Sequence, residues 1–436
     1  MLKSKIILFA SCLGLFLMGC SDDQEATPQP EAPYVNVNQH AYNDIDASGA
    51  ELTLSITSNQ AWVAESDAAW CKILSGENGS GSGEVVVEIT ENLGQDSRTA
   101  AISLQSVDGN IETSVTFTQL AQAFVEGGHY KIPVVFQCLY TNKNDENQYV
   151  RPGHLQTVID EVNRLYRESG VDLNMEFVMA TEDPEGNPME EPGVNRVPWT
   201  TSTINCETFM SSREQRYLDL IWDPDRYINI MLYRFSNSSI LGIAQFPFVV
   251  YPDYLIGAEV WMGDVPVQEN LNRPQCVSIN NSYIYDMGGS LTPENPGVDD
   301  GYVVVTIAHE LGHYLGLRHA FSESYMGCAD TDFCEDTPTY NRDSYLQYLN
   351  AYGMNYKAHL DELILREDCL SGMEYVSTNI MDYSISYANR FTEDQAERIR
   401  YILEHGAFVP GPKNRATKAK QTRSTGMLDL PMQIMK

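Results

Sequence analysis

The sequence predicts a multidomain chain, with an all-β unit at residues 33–122 followed by an α+β domain at residues 123–409. Three observations point that way. The first stretch is built of short alternating apolar and polar runs separated by turn residues. The second mixes strand-like runs with stretches of helical periodicity. Within it, one helical stretch places His309, Glu310 and His313 together, which a helix with only a packing role does not need. A length of 436 residues leaves room for two or three domains with sizeable cores. The net charge of −32 argues against nucleic acid or an anionic membrane surface as a partner.

Taken in chain order, Lys3 and Lys5 precede an apolar run from Ile6 to Phe16. That run is short for a membrane span and has the pattern of a signal peptide. The following Leu17-Met18-Gly19-Cys20 resembles a bacterial lipobox. The resemblance implies a lipoprotein signal peptide over residues 1–20, lipidation at Cys20, and an outer-membrane lipoprotein exposed at the cell surface. Ser21-Asp22-Asp23 is similar to the acidic tether of such proteins. No other stretch is long and apolar enough to cross a bilayer, so the lipid is the expected anchor. Residues 21–32, acidic and broken by Pro28 and Pro30, read as a linker.

In the β unit, residues 51–57, 85–89, 100–105 and 114–119 are the expected strands, with Asn78-Gly79-Ser80-Gly81-Ser82-Gly83 as a flexible turn between them. Trp62, Trp70, Asn92, Arg98 and Gln119 make the unit resemble a BACON domain. That resemblance implies an immunoglobulin-like sandwich and binding of glycans, glycoproteins or mucins. Read as residues alone, Trp62 and Trp70 are core anchors and the unit is a spacer. Both roles stay open at this point.

Beyond it, residues 131–140, 174–180 and 227–235 read as strands, and residues 153–168 as a helix with an apolar stripe of Leu155, Val158, Ile159, Val162, Leu165 and Tyr166. Asp299 or Asp300 is the expected cap of the next helix. Val303, Val304 and Val305 are poor formers of an isolated helix, so packing must hold it. Thr392 and Gln395 form a capping box that starts a helix running to about His405. Residues 410–436 carry Lys413, Arg415, Lys418, Lys420 and Arg423 without an intervening acid and read as a basic mobile tail.

The chemistry concentrates in His309-Glu310-Leu311-Gly312-His313-Tyr314-Leu315-Gly316-Leu317-Arg318-His319. His309 and His313 lie one helical turn apart and can reach one ion. Gly316 can adopt φ > 0, end the helix and return the chain so that His319 supplies a third nitrogen. Three neutral ligands leave a fourth position open, the mark of a catalytic zinc site. Glu310 stands beside it as general base and acid. The pattern is the metzincin signature.

Downstream lies Asn379-Ile380-Met381-Asp382-Tyr383. With Gly327-Cys328, Asp332 to Pro338, Phe391-Thr392, Gln395, Arg398, and residues 132–136 and 241–247, it makes roughly residues 127–405 resemble the pappalysin-like metzincin peptidases. The resemblance implies an α+β metzincin-type zincin domain and hydrolysis of peptide bonds in extracellular proteins. It implies Met381 beneath the zinc in a Met-turn, and Tyr383 as the group that stabilises the tetrahedral intermediate. It also implies a calcium loop from Asp332, Asp336 and Thr337, and a disulfide between Cys328 and Cys369, with Cys334 as a rival partner. Outside Cys12 and Cys20, seven cysteines remain, so at least one is unpaired or paired with another molecule. Some relatives that favour a basic residue after the cut carry an Asp three positions past the tyrosine. Ser386 stands there, so that preference is not implied. A glycan-binding lipoprotein with minor peptidase activity is the alternative reading, and neither a zymogen switch nor an oligomeric state is legible.

Overall fold

A computed structural model describes residues 31–94, 96–123, 128–288, 302–324, 327–383, 385–413 and 426–435. The signal peptide, Cys20 and most of the linker lie outside the described residues. The β-rich N-terminal region has two sheets around one hydrophobic cluster. One sheet orders Val35–Val37, Ala50–Ser58, Gly83–Ile89 and Cys71–Ser75. The other orders Ala41–Ile45, Glu112–Gln119, Arg98–Ser106, Ala61–Ser66 and Asn78–Ser80. All four expected strands are present.

The expected flexible turn at 78–83 is corrected in part, because Asn78–Ser80 pairs as a strand with Ala61–Val63. The cause is Trp62. Its indole lies directly over Gly79, where a Cβ would collide with the ring, and Nε1 donates to the Gly81 carbonyl at 2.9 Å. Trp62 and Trp70 are both buried, and the Arg98 guanidinium stacks 4.4 Å over Trp70. They serve the core rather than a sugar platform.

The second domain begins with β1 (Tyr130–Tyr140), followed by α1 (His154–Arg167), β2 (Met175–Met179) and β3 (Val194–Pro198). Then come β4 (Ile228–Tyr233), β5 (Gly242–Phe246), β6 (Val277–Asn280) and α2 (Val303–Tyr314). Helices α3 (Arg342–Tyr352) and α4 (Glu393–His405) and strand β7 (Gln433–Met435) complete the elements that matter for the site. The sheet orders β2-β1-β4-β6-β5-β7, with β3 also on β1. Pairs among β1, β2, β3, β4 and β6 are parallel, whereas β5 is antiparallel to both neighbours. Parallel strands need cover on both faces, and β4 is accordingly buried along its whole length.

Helix α2 packs against α1 and β5. This burial holds its valine-rich start: Val303, Val304 and Ile307 all lie in the domain core. Its N-cap is Tyr302, which corrects the expectation of a cap at Asp299 or Asp300; those two residues lie outside the described residues. Helix α4 starts at Thr392 with both capping-box bonds formed.

The tail reading is overturned for residues 426–435. Leu430 and Met432 are buried in the second core cluster, and β7 pairs with β5 through Ala244–Met435 and Phe246–Gln433. The signal was the alternation of Leu428, Leu430, Met432 and Ile434, outweighed in the sequence by the basic run before it. Among the described residues no helix is long and apolar enough to cross a membrane.

Candidate active site

Helix α2 carries His309, Glu310 and His313, and all three are buried. It ends at Leu315, and Gly316 then takes φ +91°, where a Cβ would also lie 2.6 Å from Ile402 on α4. Glycine is therefore required twice over, for conformation and for packing. Arg398 of α4 fixes the turn by donating to the Gly316 carbonyl. The chain returns and His319 meets its partners, with His313 Nε2 and His319 Nε2 3.2 Å apart. One ligand atom from each of the three histidines lies within 4.8 Å of the others, the only group of three or more His, Cys, Asp or Glu so placed among the described residues.

This arrangement fits zinc. Two nitrogens on a tetrahedral ion at about 2.0–2.1 Å are separated by about 3.3 Å, close to the spacing of the His313–His319 pair. Each ring is also oriented through its other nitrogen. His309 Nδ1 donates to the Ile380 carbonyl at 2.8 Å, and His313 Nδ1 to the Leu317 carbonyl at 2.7 Å. His319 Nδ1 donates to Glu323 Oε1 at 2.7 Å. Such contacts fix the tautomer whose Nε2 carries no proton, the form in which a histidine binds a metal. His309 Nε2 is buried without a hydrogen-bond partner, an orphan that an ion would satisfy. Burial pushes His313 well below the usual histidine range, with His319 and His309 adding to it, and burial lowers His309 as well. These are neutral imidazoles, the ligand form.

Glu310 faces β5. A Cβ on Gly242 would lie 2.5 Å from Glu310 Cγ and 2.7 Å from its Oε1, so the glycine makes room for the carboxylate. Burial drives the Glu310 carboxyl well above the usual range, and Oε2 has no hydrogen-bond partner.

Below the histidines, Met381 is fully buried, and its sulfur marks the place where a Cβ on Gly312 would fall, 2.5 Å away. The turn that carries it is anchored by Asp382, which accepts from Tyr340 Oη at 2.5 Å, from the Ser377 hydroxyl and from the Tyr383 amide. Arg366 closes the network. It is buried 3.4 Å from Asp382, stacks on Tyr345 and donates to the Leu363 and Ile385 carbonyls. Tyr383 stands over the site, its ring 4.7 Å from His319 and 5.7 Å from His309, with the Arg342 guanidinium 4.4 Å from it. Burial raises its hydroxyl pKa, which keeps it a donor.

The Cys328–Cys369 disulfide is formed, and Cys334, its rival, is buried and outside that disulfide, as are Cys71, Cys138, Cys206 and Cys276. The expected calcium residues fit only in part. Asp332 is buried, its Oδ1 accepts from the Cys334 amide, and its Oδ2 meets no donor. Burial pushes its carboxyl up to about 8. Asp336, in contrast, is exposed and engages the Asp394 amide at the start of α4, and Thr337 Oγ1 pairs with Thr392 Oγ1. Among the described residues, Asp332 and Asp336 belong to no group of three or more acids, cysteines or histidines close enough to share one ion. Ser386 is buried and accepts from the Ala388 amide. The residues that sequence reasoning missed are Gly242, Glu323, Arg342 and the Arg366–Tyr340–Ser377 set around Asp382.

Residues 277–404 match peptidase family M43, described as pregnancy-associated plasma protein-A, and residues 60–120 match the BACON family of N-terminal domains. An extracellular metalloprotease of Arthroderma benhamiae is 27% identical over 251 residues, 56% of this chain and 68% of that protein. One from Arthroderma otae has the same identity over the same shares. Mature mirolysin of Tannerella forsythia, solved in complex with a cleaved peptide, aligns at 22% identity and a TM-score of 0.41, over 62% of this chain and 90% of that one.

Proposed function

This chain carries a peptidase domain of the pregnancy-associated plasma protein-A family and a BACON domain and is a metalloendopeptidase; from that premise we propose that His309, His313 and His319 hold a catalytic zinc while Glu310 moves the proton. The observation that carries the proposal is the convergence of three imidazoles, each fixed through its Nδ1, beside the buried Glu310 side chain.

Zinc, when bound, supplies a Lewis acid that brings the pKa of water to about 7. The chain does the rest. Glu310, short of hydrogen bonds and desolvated, accepts a proton from the water that attacks the peptide carbonyl. It delivers that proton to the amine as the C–N bond breaks, leaving a carboxylate and a free amine. Tyr383, kept protonated, donates toward the oxygen where negative charge develops. Met381 and the Asp382 network hold the floor under the histidines, with the Ile380 carbonyl aligning His309.

The substrates are extracellular proteins or peptides. Lipidation at Cys20 would tether the enzyme at the outer membrane, with the N-terminal sandwich, immunoglobulin-like in this reading, as a spacer that holds catalysis away from the bilayer. A calcium ion at Asp332 would order the loop between His319 and α3, its oxygen being the orphan that such an ion satisfies. The test is metal analysis of purified protein with chelation and add-back. One zinc per chain, with casein cleavage lost on chelation and restored by zinc, is the expected result; cleavage that persists in zinc-free protein contradicts it.

A further inference from the structure

The antiparallel strand β5 runs beside the catalytic group: its first residue, Gly242, is the one that makes room for Glu310. A peptide whose carbonyl is to be attacked there is best presented extended, and a sheet edge next to the attacking group is a ready strand-addition site. One edge of β5 is taken by β6. The other is taken by this chain's own β7, antiparallel, with Gln433 opposite Phe246, Ile434 opposite Gln245 and Met435 opposite Ala244. The direction matters. Each step along β7 moves toward Gly242, and Met435 stops two residues short of it, about 7 Å along the strand at roughly 3.4 Å per residue.

The segment is held in two ways. Leu430 and Met432 are buried in the core cluster, and Arg273 donates to the Met432 carbonyl at 3.1 Å. Past that anchor, Gln433 Oε1 accepts from Arg318, which immediately precedes the ligand His319. The anchor is core packing; the three-residue strand beyond it lies where a peptide would pair.

We propose that β7 is an autoinhibitory strap, pairing with the β5 edge in place of a peptide substrate and leaving it for catalysis. The inference rests on the proposed peptidase site. Because substrate can add only to molecules whose strap is off, the apparent KM is raised by the reciprocal of the open fraction.

Two variants separate strap from anchor. One ends the chain after Met432, keeping the buried leucine and methionine; the other is full-length Ile434→Pro, which breaks the ladder without removing any segment. Each is compared with the parent for turnover of dye-labelled casein peptides and, on a Glu310→Gln background, for binding of the same peptides by fluorescence anisotropy. Both variants should lower KM and tighten binding by about tenfold, with kcat nearly unchanged. Variants that stay folded and bind zinc yet show parental KM and affinity overturn the strap. If no form turns casein over but removing the strap still tightens binding, the strap stands and the proposed peptidase reading fails. If the truncated chain does not fold, Ile434→Pro decides.

Discussion

Among single residues, Gly242 leaves little space around the Glu310 carboxylate. Gly242 and Glu310 come from segments far apart in sequence, and a methyl group on the first would displace the second. Gly242→Ala should therefore keep the fold and zinc content while lowering kcat by about 10–100-fold, as misplacing a catalytic group by about 1 Å does. Steady-state kinetics beside metal analysis check this. Asp332 gives a second prediction. Its carboxyl is raised to about 8, so the folded state holds the proton and stability is fully present below the ordinary carboxylate range, then lost as pH rises toward 8. Asp332→Asn should flatten that part of the urea-stability profile, and added calcium should stabilise the parent at pH 8 but not the variant. The grouping of the three histidines was legible in the sequence because its spacing is local: one helical turn, then a glycine reversal. The hydrogen-bond partners of those histidines were not. Two of the three Nδ1 acceptors are backbone carbonyls, of Ile380 and Leu317, which no side-chain identity announces.

At the scale of elements, the Met-turn is held by charge as much as by packing. Arg366 and Asp382 are both buried, so removing the cation leaves an anion without compensation. Arg366→Met should cost about 3–5 kcal/mol in urea denaturation and weaken zinc binding through the turn that aligns His309. A variant of parental stability and zinc affinity would mean the network is incidental. Strands and helices with clear periodicity, such as β1, α1 and α4, were legible close to their observed bounds. Two segments were not, for different reasons. Asn78–Ser80 has the composition of a flexible turn, yet its glycine is what Trp62 packs on. β7 follows a basic stretch whose charge obscured the alternation behind it.

For the whole molecule, the disulfide ties the loop after His319 to the segment before the Met-turn, across 41 residues. Loop-closure entropy puts its contribution at up to about 4 kcal/mol. Cys328→Ser with Cys369→Ser should lower the melting temperature and speed proteolysis between residues 327 and 369 while leaving the N-terminal region's own transition unchanged. The two units touch through the Lys131–Glu91 and Arg98–Glu182 ion pairs and a backbone bond from Ala69 to Gly186. The division into a β unit and a mixed domain was readable from pattern alone. That β7 joins the sheet was not, because its pairing with β5 spans 187 to 191 residues of sequence and depends on an edge that only the folded sheet creates.

Whether Glu310 moves the proton at a zinc held by three histidines is decided by comparing turnover and zinc content side by side. The parent and Glu310→Gln are incubated with a peptide library, and the products are read by mass spectrometry with zinc content measured in parallel. Equal zinc in both proteins, a common set of cut sites, and a turnover about 10²–10⁴-fold lower in the variant are expected. Near-parental turnover by zinc-loaded Glu310→Gln would contradict that role.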